Sequence, residues 1–512
     1  MMPIHQIQFT YYDQSRMKKT DVIIVGGGLG GLECGALLCK EGLSVLVLEQ
    51  SPKSGGFFQP FKRNGHSIDS SVHYIGSLDK GELLHDLFKY LGISNDIRLM
   101  RLDSEGFDNV HLEGKKYPIA MGHDQFSEAL SMSFPGESKN IKSYIQRIKV
   151  IGKETLNSVL NSSGISGEAM KYLSMSAYEE IERVFQNRDL LRVLTGNSII
   201  YGGERQMTPF YVHAITTNSY FEGAYRFVGG ADQLTTALER KIFASGGEVR
   251  CSSRVNKIIT ENNLVKGVEL ASGEIIESTY VISSLHPSLT LGLIDDNNAI
   301  RPVFRNRISS LKNSYGLFCL YLIMKKGAFP YMNSNHFIFN GADSPDSLNI
   351  PPQGGIMVSM QVPLNDTKYA EVVSIMRPMY FGEVERWEGT DTGKRGEDYI
   401  EFKEREAEKM IDIAESRFPG IRSAISSKYS ATPLTFRDYL SAPEGSAYGI
   451  MKNYANPLST IVQPKTKIGN LFLTGQSLNL HGVMGVTITS LLTCYEILGA
   501  EYLSTKIVKS RS

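Results

Sequence analysis

The sequence predicts an α/β protein in which a Rossmann-type dinucleotide-binding domain, assembled from separated stretches of chain, carries a second α+β domain. Three observations predict it. Asp21 to Gly31 reads as a buried apolar strand running into a glycine turn, and a second apolar run soon after ends in Glu49. At 512 residues the chain exceeds what one hydrophobic core usually organises, so at least a second domain is expected. Short β-branched runs after Gly247 and a strand at Leu471 to Thr474 then supply further nucleotide-facing layers far along the chain.

Each residue of the opening motif has a physical task. Gly26 lets the chain turn sharply out of the first strand, and Gly28 lets the backbone approach a pyrophosphate. Gly31 lets the following helix pack closely on the strand. That helix opens at about Gly30, just past Leu29, and aims its free N–H groups and positive dipole end at the pyrophosphate. Glu49, at a strand tip, is placed to take the hydroxyls of an adenosine ribose.

After Gln50 the doublet Gly55–Gly56 permits a backbone to pass against a diphosphate or flavin edge. Leu83, Leu84, Leu87 and Leu91 repeat with helical spacing, and residues 124–195 read as mainly helical. An amphipathic helix is expected from Leu234 to Phe243, followed by strands near Glu248, Arg254, Val265 and Tyr280. Leu317 to Met324 is apolar without alternation, which predicts a central strand, and residues 400–418 predict a charged helix. The end reads as a strand, a turn at Gly475 and a long helix. The segment Gly389 to Arg395 is not a P-loop: one residue is missing between its glycines, and Arg395 replaces the metal-binding hydroxyl. With only one dinucleotide unit, the bound dinucleotide has to be the redox group itself, which points to FAD.

These residues resemble the phytoene desaturase, carotenoid isomerase and retinol saturase family of FAD-dependent oxidoreductases over residues 20–505. The motifs are the opening fingerprint, Ser54–Gly56, Ser67–Gly76, Phe227–Gly230, Thr432–Thr435 through Tyr439–Gly445 to Tyr448–Gly449, and Leu471–Gln476. His73-Tyr-Ile-Gly, Thr432-Pro-Leu-Thr and the Leu-Thr-Gly-Gln ending look most like the retinol saturase branch. Ser71, Phe57 and Gln476 depart from the family pattern. The resemblance implies that Val255 offers its backbone to adenine. It also places Gly475, Gln476 and the helix start at Val483 and Met484 beside the flavin, where helix amides would favour negative charge. The implied substrate is apolar, of polyene or isoprenoid type, and the reaction is saturation, desaturation or isomerisation at C–C double bonds. A flavin amine oxidase and a non-catalytic lipid-binding escort protein are the alternatives within the same architecture. The electron donor or acceptor is unassigned.

Hydride exchange with an unactivated C–C bond needs orientation, exclusion of water and one proton donor. His73, Tyr74, Tyr439 and His481 are the candidate catalytic residues, with His213 a weaker one. The proton comes from solvent or an acid; imidazole titrates near neutrality, so His73 or His481 could supply it, and for each the alternative is a structural histidine. No histidines or carboxylates fall at metal-ligand spacing, and no Gly-x-Ser-x-Gly elbow is present.

Composition excludes other classes. Lys plus Arg and Asp plus Glu both number 54, so the net charge is zero and a nucleic-acid track is not expected. The five scattered cysteines give no paired disulfide framework and fit a reducing cytoplasm. No apolar run reaches the ~18 residues of a membrane span. Peripheral membrane contact is expected, with the amphipathic stretches Leu83 to Ile93 and Leu190 to Ile200 as its candidates; the alternative for each, and the favoured one, is an ordinary core helix of the substrate domain. The expected FAD-binding domain combines 17–78, 224–296 and 432–505, the substrate domain 79–223 and 297–431, and residues 1–16 are a disordered extension.

Overall fold

The computed structural model describes residues 20–160, 167–294, 300–339, 355–364 and 368–511. The expectation for residues 1–16 lies outside them.

Two seven-stranded sheets organise the chain. In the first, Thr20–Val25 lies parallel to Val45–Leu48 on one side and to Ile275–Ser283 on the other. Glu248–Arg250 extends one edge in parallel, and Leu471–Leu473 also pairs in parallel with Ile275–Ser283. Val255–Glu261 and Leu264–Leu270 add an antiparallel meander. Val22, Ile24 and Val47 are fully buried beneath helices, and Ile23 is fully buried on the other face, in the core formed with the meander; strands covered on both faces read as continuous apolar runs. The covering helices are Leu29–Lys40, Asp232–Ala244 and Gly482–Leu498. Every strand of this sheet falls within 17–78, 224–296 or 432–505.

The second sheet runs Ile425–Ala431, Gly316–Met324, Val372–Met379, Ile356–Met360, Asn335–Phe339, Asp108–Leu112, Lys115–Ile119. Its neighbours are antiparallel except for Asn335–Phe339 on Asp108–Leu112. Gly316–Met324 is an interior strand, as its composition predicts, and the missing alternation has a plain cause. Phe318, Leu320, Leu322 and Met324 pack toward the helix Glu397–Arg417 in one core. Leu317, Cys319, Tyr321 and Ile323 face the opposite core, shared with the first sheet's helices. Both faces are buried, so both are apolar.

The helical stretch joins that shared core, so both amphipathic candidates are core helices. The amphipathic stretch from Leu83 forms the helix Leu83–Leu91, with Leu83, Leu84, Leu87, Phe88 and Leu91 buried. In Arg188–Thr195 the residues Leu190, Leu191, Val193 and Leu194 are buried too, and Ile200 beyond it reaches an internal cavity. Their apolar stripes face protein, so neither helix offers a surface to lipid. Replacing Leu191 and Leu194 together by Ser is therefore expected to destabilise the protein, by about 2–5 kcal/mol per site as for core truncations. Urea unfolding would show this; an unchanged midpoint would contradict the packing. No described helix is long and apolar enough to cross a membrane.

Candidate active site

Three glycine turns meet at the C-terminal ends of the first sheet's parallel strands. Gly26, at φ +99°, turns the chain out of Thr20–Val25, and its N–H donates to Leu48 O at 2.8 Å. The second turn is clamped to the first: Gly55 N donates to Gly27 O at 2.7 Å, and a Cβ on Gly56 would sit 3.2 Å from Gly28 Cα. The third is Gly475, at φ +101°; a Cβ on Gly30 would lie 3.2 Å from its Cα. A Cβ on Gly31 would run into the Gly26 carbonyl oxygen, so this glycine serves helix-on-strand packing and lies outside the cavity lining. Among the glycines of these three turns, only at Gly28 would a Cβ meet nothing within 4 Å. The space in front of it is the end of a cavity of about 330 Å³.

Glu49 closes that end. It is buried, with Oε2 accepting from Gly27 N and Oε1 from Ser51 N, each at 2.8 Å. Each oxygen keeps a lone pair for a further donor. Val255, at the head of its strand, and Gln50 line the same end. Glu49→Gln is expected to do more than remove a charge, because its amide NH₂ would face one of those two backbone donors. Equilibrium dialysis should show cofactor affinity falling by about ten- to a hundred-fold, the scale of one charge-assisted hydrogen bond. Unchanged affinity would show that the carboxylate is only a turn brace.

From the cradle the cavity passes Leu29, Gly30, Gly475, Gln476 and Val483, then reaches Leu317, Met357 and Met376 on the second sheet. The sequence-predicted residues divide around it. Met484 points away: its sulfur accepts from Ser77 Oγ at 3.1 Å, and it borders a separate small void. His73 and Tyr74 line the cavity, whereas Tyr439, 63% exposed, stands at its open edge. His481 does not line it. His481 precedes the helix Gly482–Leu498 without a side-chain hydrogen bond to it, and its ring lies 4.9 Å from the ring of Tyr448, which faces the cavity instead. His213 is buried between the hydroxyls of Tyr144 and Tyr201, well inside the helical layer.

Neither candidate histidine is set up as a cationic acid. Burial, aided by the nearby Arg226 charge, lowers His73 to about 4, and its Nε2 is buried with no hydrogen-bond partner. Burial and the charge of Lys452 lower His481 to about 3. Both are neutral near pH 7.

Several polar residues at the site escaped the sequence reading. Tyr74 Oη donates to Asp108 Oδ2 at 3.0 Å, and Asn335 Nδ2 donates to Asp108 Oδ1 at 2.9 Å. Arg226, 1% exposed, donates to Asn335 Oδ1 at 2.7 Å and to the carbonyls of Met332 and Ser334, each at 2.9 Å. Lys452 is buried beneath the Gly475 turn, where Nζ donates to Thr460 O, Ser477 O and Leu478 O. A charge inside an apolar run was the available signal: Arg226 stands in Ala-Tyr-Arg-Phe-Val, beside the Phe227-Val-Gly-Gly motif.

The residues fit an FAD. A glycine cradle with room where a Cβ would stand, a helix N-terminus and a carboxylate suit the adenosine diphosphate half. The Gly475 turn and the start of Gly482–Leu498 suit the flavin half. Such a cradle, opening into a cavity closed by a second sheet, defines a flavoprotein oxidoreductase.

Comparison with known proteins agrees. The flavin containing amine oxidoreductase family matches residues 29–329, more than half of the chain, and the chain belongs to that family. All-trans-retinol 13,14-reductase of Macaca fascicularis is 25% identical over 529 residues, covering 94% of this chain and 86% of the relative. The chloroplastic prolycopene isomerase of Daucus carota is 25% identical over 506 residues, covering 94% and 80%. The likeness to retinol saturases and carotenoid isomerases read from the motifs thus extends along nearly the whole chain. The crystal structure of an oxidoreductase from Methanosarcina mazei shares the fold, with a TM-score of 0.63 at 18% identity, covering 93% of this chain and all of that one. The protein is an FAD-dependent enzyme.

Proposed function

We propose that the enzyme exchanges hydride with, or isomerises, C–C double bonds of an elongated apolar polyene. The observation that carries this is the continuity of one cavity from the Gly28 cradle to the apolar side chains Leu317, Met357 and Met376. A bound flavin supplies the two-electron chemistry. The chain's part is to align the polyene along the apolar walls and to exclude water. The similar proteins are named for all-trans-retinol and prolycopene, both conjugated polyenes. Among the described residues lining the cavity, Glu49 is the sole carboxylate, and it sits at the cradle end. An ammonium substrate would find no counter-ion at the apolar end, which disfavours the amine oxidase alternative.

A polyene partitions into bilayers. The same reading therefore includes peripheral membrane contact at the cavity edge, where Tyr439 and Leu289 are exposed. The electron partner is left to experiment. The test starts from the purified protein, which should be yellow. After anaerobic photoreduction, all-trans-retinol or a carotenoid should bring back the oxidised flavin band or be converted to an isomer. Bleaching of the oxidised protein by a primary amine would favour an amine oxidase. A colourless protein that still binds lipid would favour the escort alternative.

A further inference from the structure

With both histidines neutral, the proton that accompanies hydride exchange needs another source, and the cavity wall holds one. Tyr74 lines the cavity beside Tyr220, their rings 4.4 Å apart, and its hydroxyl is hydrogen-bonded to a carboxyl group just behind the wall. Asp108 is fully buried, with one oxygen on Tyr74 and the other on Asn335. Asn335 is oriented in turn by Arg226, so its Nδ2 has to face Asp108.

We propose that Tyr74 and Asp108 are the proton-delivering pair of this site, Tyr74 as the catalytic donor and Asp108 as a positioning residue acting through it. The inference rests on the polyene reading above. In saturation the C–C π bond breaks and two C–H bonds form, one with the hydride that a bound reduced flavin would supply and one with the Tyr74 proton. As the Tyr74 O–H bond breaks, the Asp108 proton moves to the phenolate oxygen. The carboxylate left behind regains a proton from solvent after product leaves. In desaturation the same proton path runs in reverse.

The electrostatics suit these roles. Burial, with the charge of Asp108 and the hydroxyls of Tyr220 and Tyr448, holds Tyr74 well above its ordinary value. It therefore keeps its proton against water and yields it only to a strongly basic carbon. Burial raises Asp108 to about 7, against the lowering effects of Asn335, Tyr74, Arg226 and Asn197. Arg226, from the strand Tyr225–Phe227, is the cation that faces it, and Tyr220, from the helix Phe210–Phe221, faces it as a neutral phenol. Tyr74 donates to Asp108 when the carboxylate is ionised; below that pH a protonated Asp108 reverses the bond and leaves the phenolic hydrogen free to point into the cavity. Above it the carboxylate captures that hydrogen, and delivery stops.

The experiment uses flavin-loaded wild type, Tyr74→Phe and Asp108→Asn, photoreduced and mixed anaerobically with all-trans-retinol. Asn at position 108 can keep both hydrogen bonds with its amide turned, so folding is preserved; flavin content and spectrum verify this. Tyr74→Phe should slow flavin reoxidation by about 10²- to 10⁴-fold, the range for a lost general acid. The wild-type rate should fall above about pH 7, and Asp108→Asn should be slower with that break gone. A second readout needs no turnover: difference infrared spectra across pH should show a buried protonated carboxylic acid that Asp108→Asn removes and Tyr74→Phe shifts. A full rate in Tyr74→Phe, or no such band in the wild type, overturns the pair while leaving the flavin intact. A wild type that holds flavin, shows the band and ignores retinol refutes the substrate reading instead.

Discussion

Gly28→Val is expected to give a folded protein that purifies without detectable flavin. The two halves of that result have separate causes. A Cβ at Gly28 points into open cavity with nothing within 4 Å, and the backbone there, at φ −76° and ψ 178°, is one that valine adopts readily. The apo fold should thus stay within about 1 kcal/mol of apo wild type, the usual scale of an unstrained glycine replacement. The isopropyl group, however, fills the place that a pyrophosphate needs for close approach to the helix N-terminus. Absorbance of the released cofactor and urea unfolding of the apo proteins measure the halves independently. Gly31→Ala is the informative contrast. Its methyl would strike the Gly26 carbonyl, so it should fail as a fold rather than as a binding site. A Gly28→Val protein that keeps one flavin per chain would show that the cofactor lies elsewhere.

The cradle could be read in the sequence because its determinants are local. Each glycine sits next to the strand or helix it serves, and Glu49 ends an apolar run that already looks like a strand. The interior strand Gly316–Met324 was legible for the opposite reason, since burial on both faces erases alternation. Amphipathic helices were only half legible. The stripe at Leu190, Leu191 and Leu194 announces one buried face but not what covers it, and the answer was protein rather than lipid. Side-chain aim was not legible at all. Tyr439 and Tyr448 lie nine positions apart in one motif, yet the first is exposed at the open edge and the second is half-buried in the cavity wall. The Asp108–Asn335 contact depends on a parallel strand pairing between residues 227 positions apart, and no spacing within a single chain reveals that register.

Arg226→Met is expected to be the most damaging single change to stability near the site. Methionine fills much of the same space, so the loss is polar rather than a cavity. It strips the arginine donors from the Met332 and Ser334 carbonyls and from the Tyr331 hydroxyl, and leaves Asn335 Oδ1 with Ser359 Oγ as its donor, in a region where Arg226 is 1% exposed. Buried acceptors left without donors cost about 1–3 kcal/mol each. Partial relaxation brings the expected total to about 3–5 kcal/mol, as for one partner removed from a buried charged network. The pH dependence identifies the mechanism. Asp108 is raised to about 7 in the folded protein, with Arg226 among the groups holding it down. An acid raised on folding stabilises fully below its unfolded value of about 4, and that stability is lost as pH rises through the folded value. Without Arg226 the folded value climbs further, so the loss continues to higher pH in the variant than in the wild type. The stability gap between the two proteins should therefore widen above about pH 7. Adding Asp108→Asn to Arg226→Met should remove the widening, because position 108 then no longer titrates. Urea unfolding at a series of pH values measures all three. A gap that stays constant with pH would mean that Arg226 braces the Met332–Ser334 turn and has no electrostatic hold on Asp108.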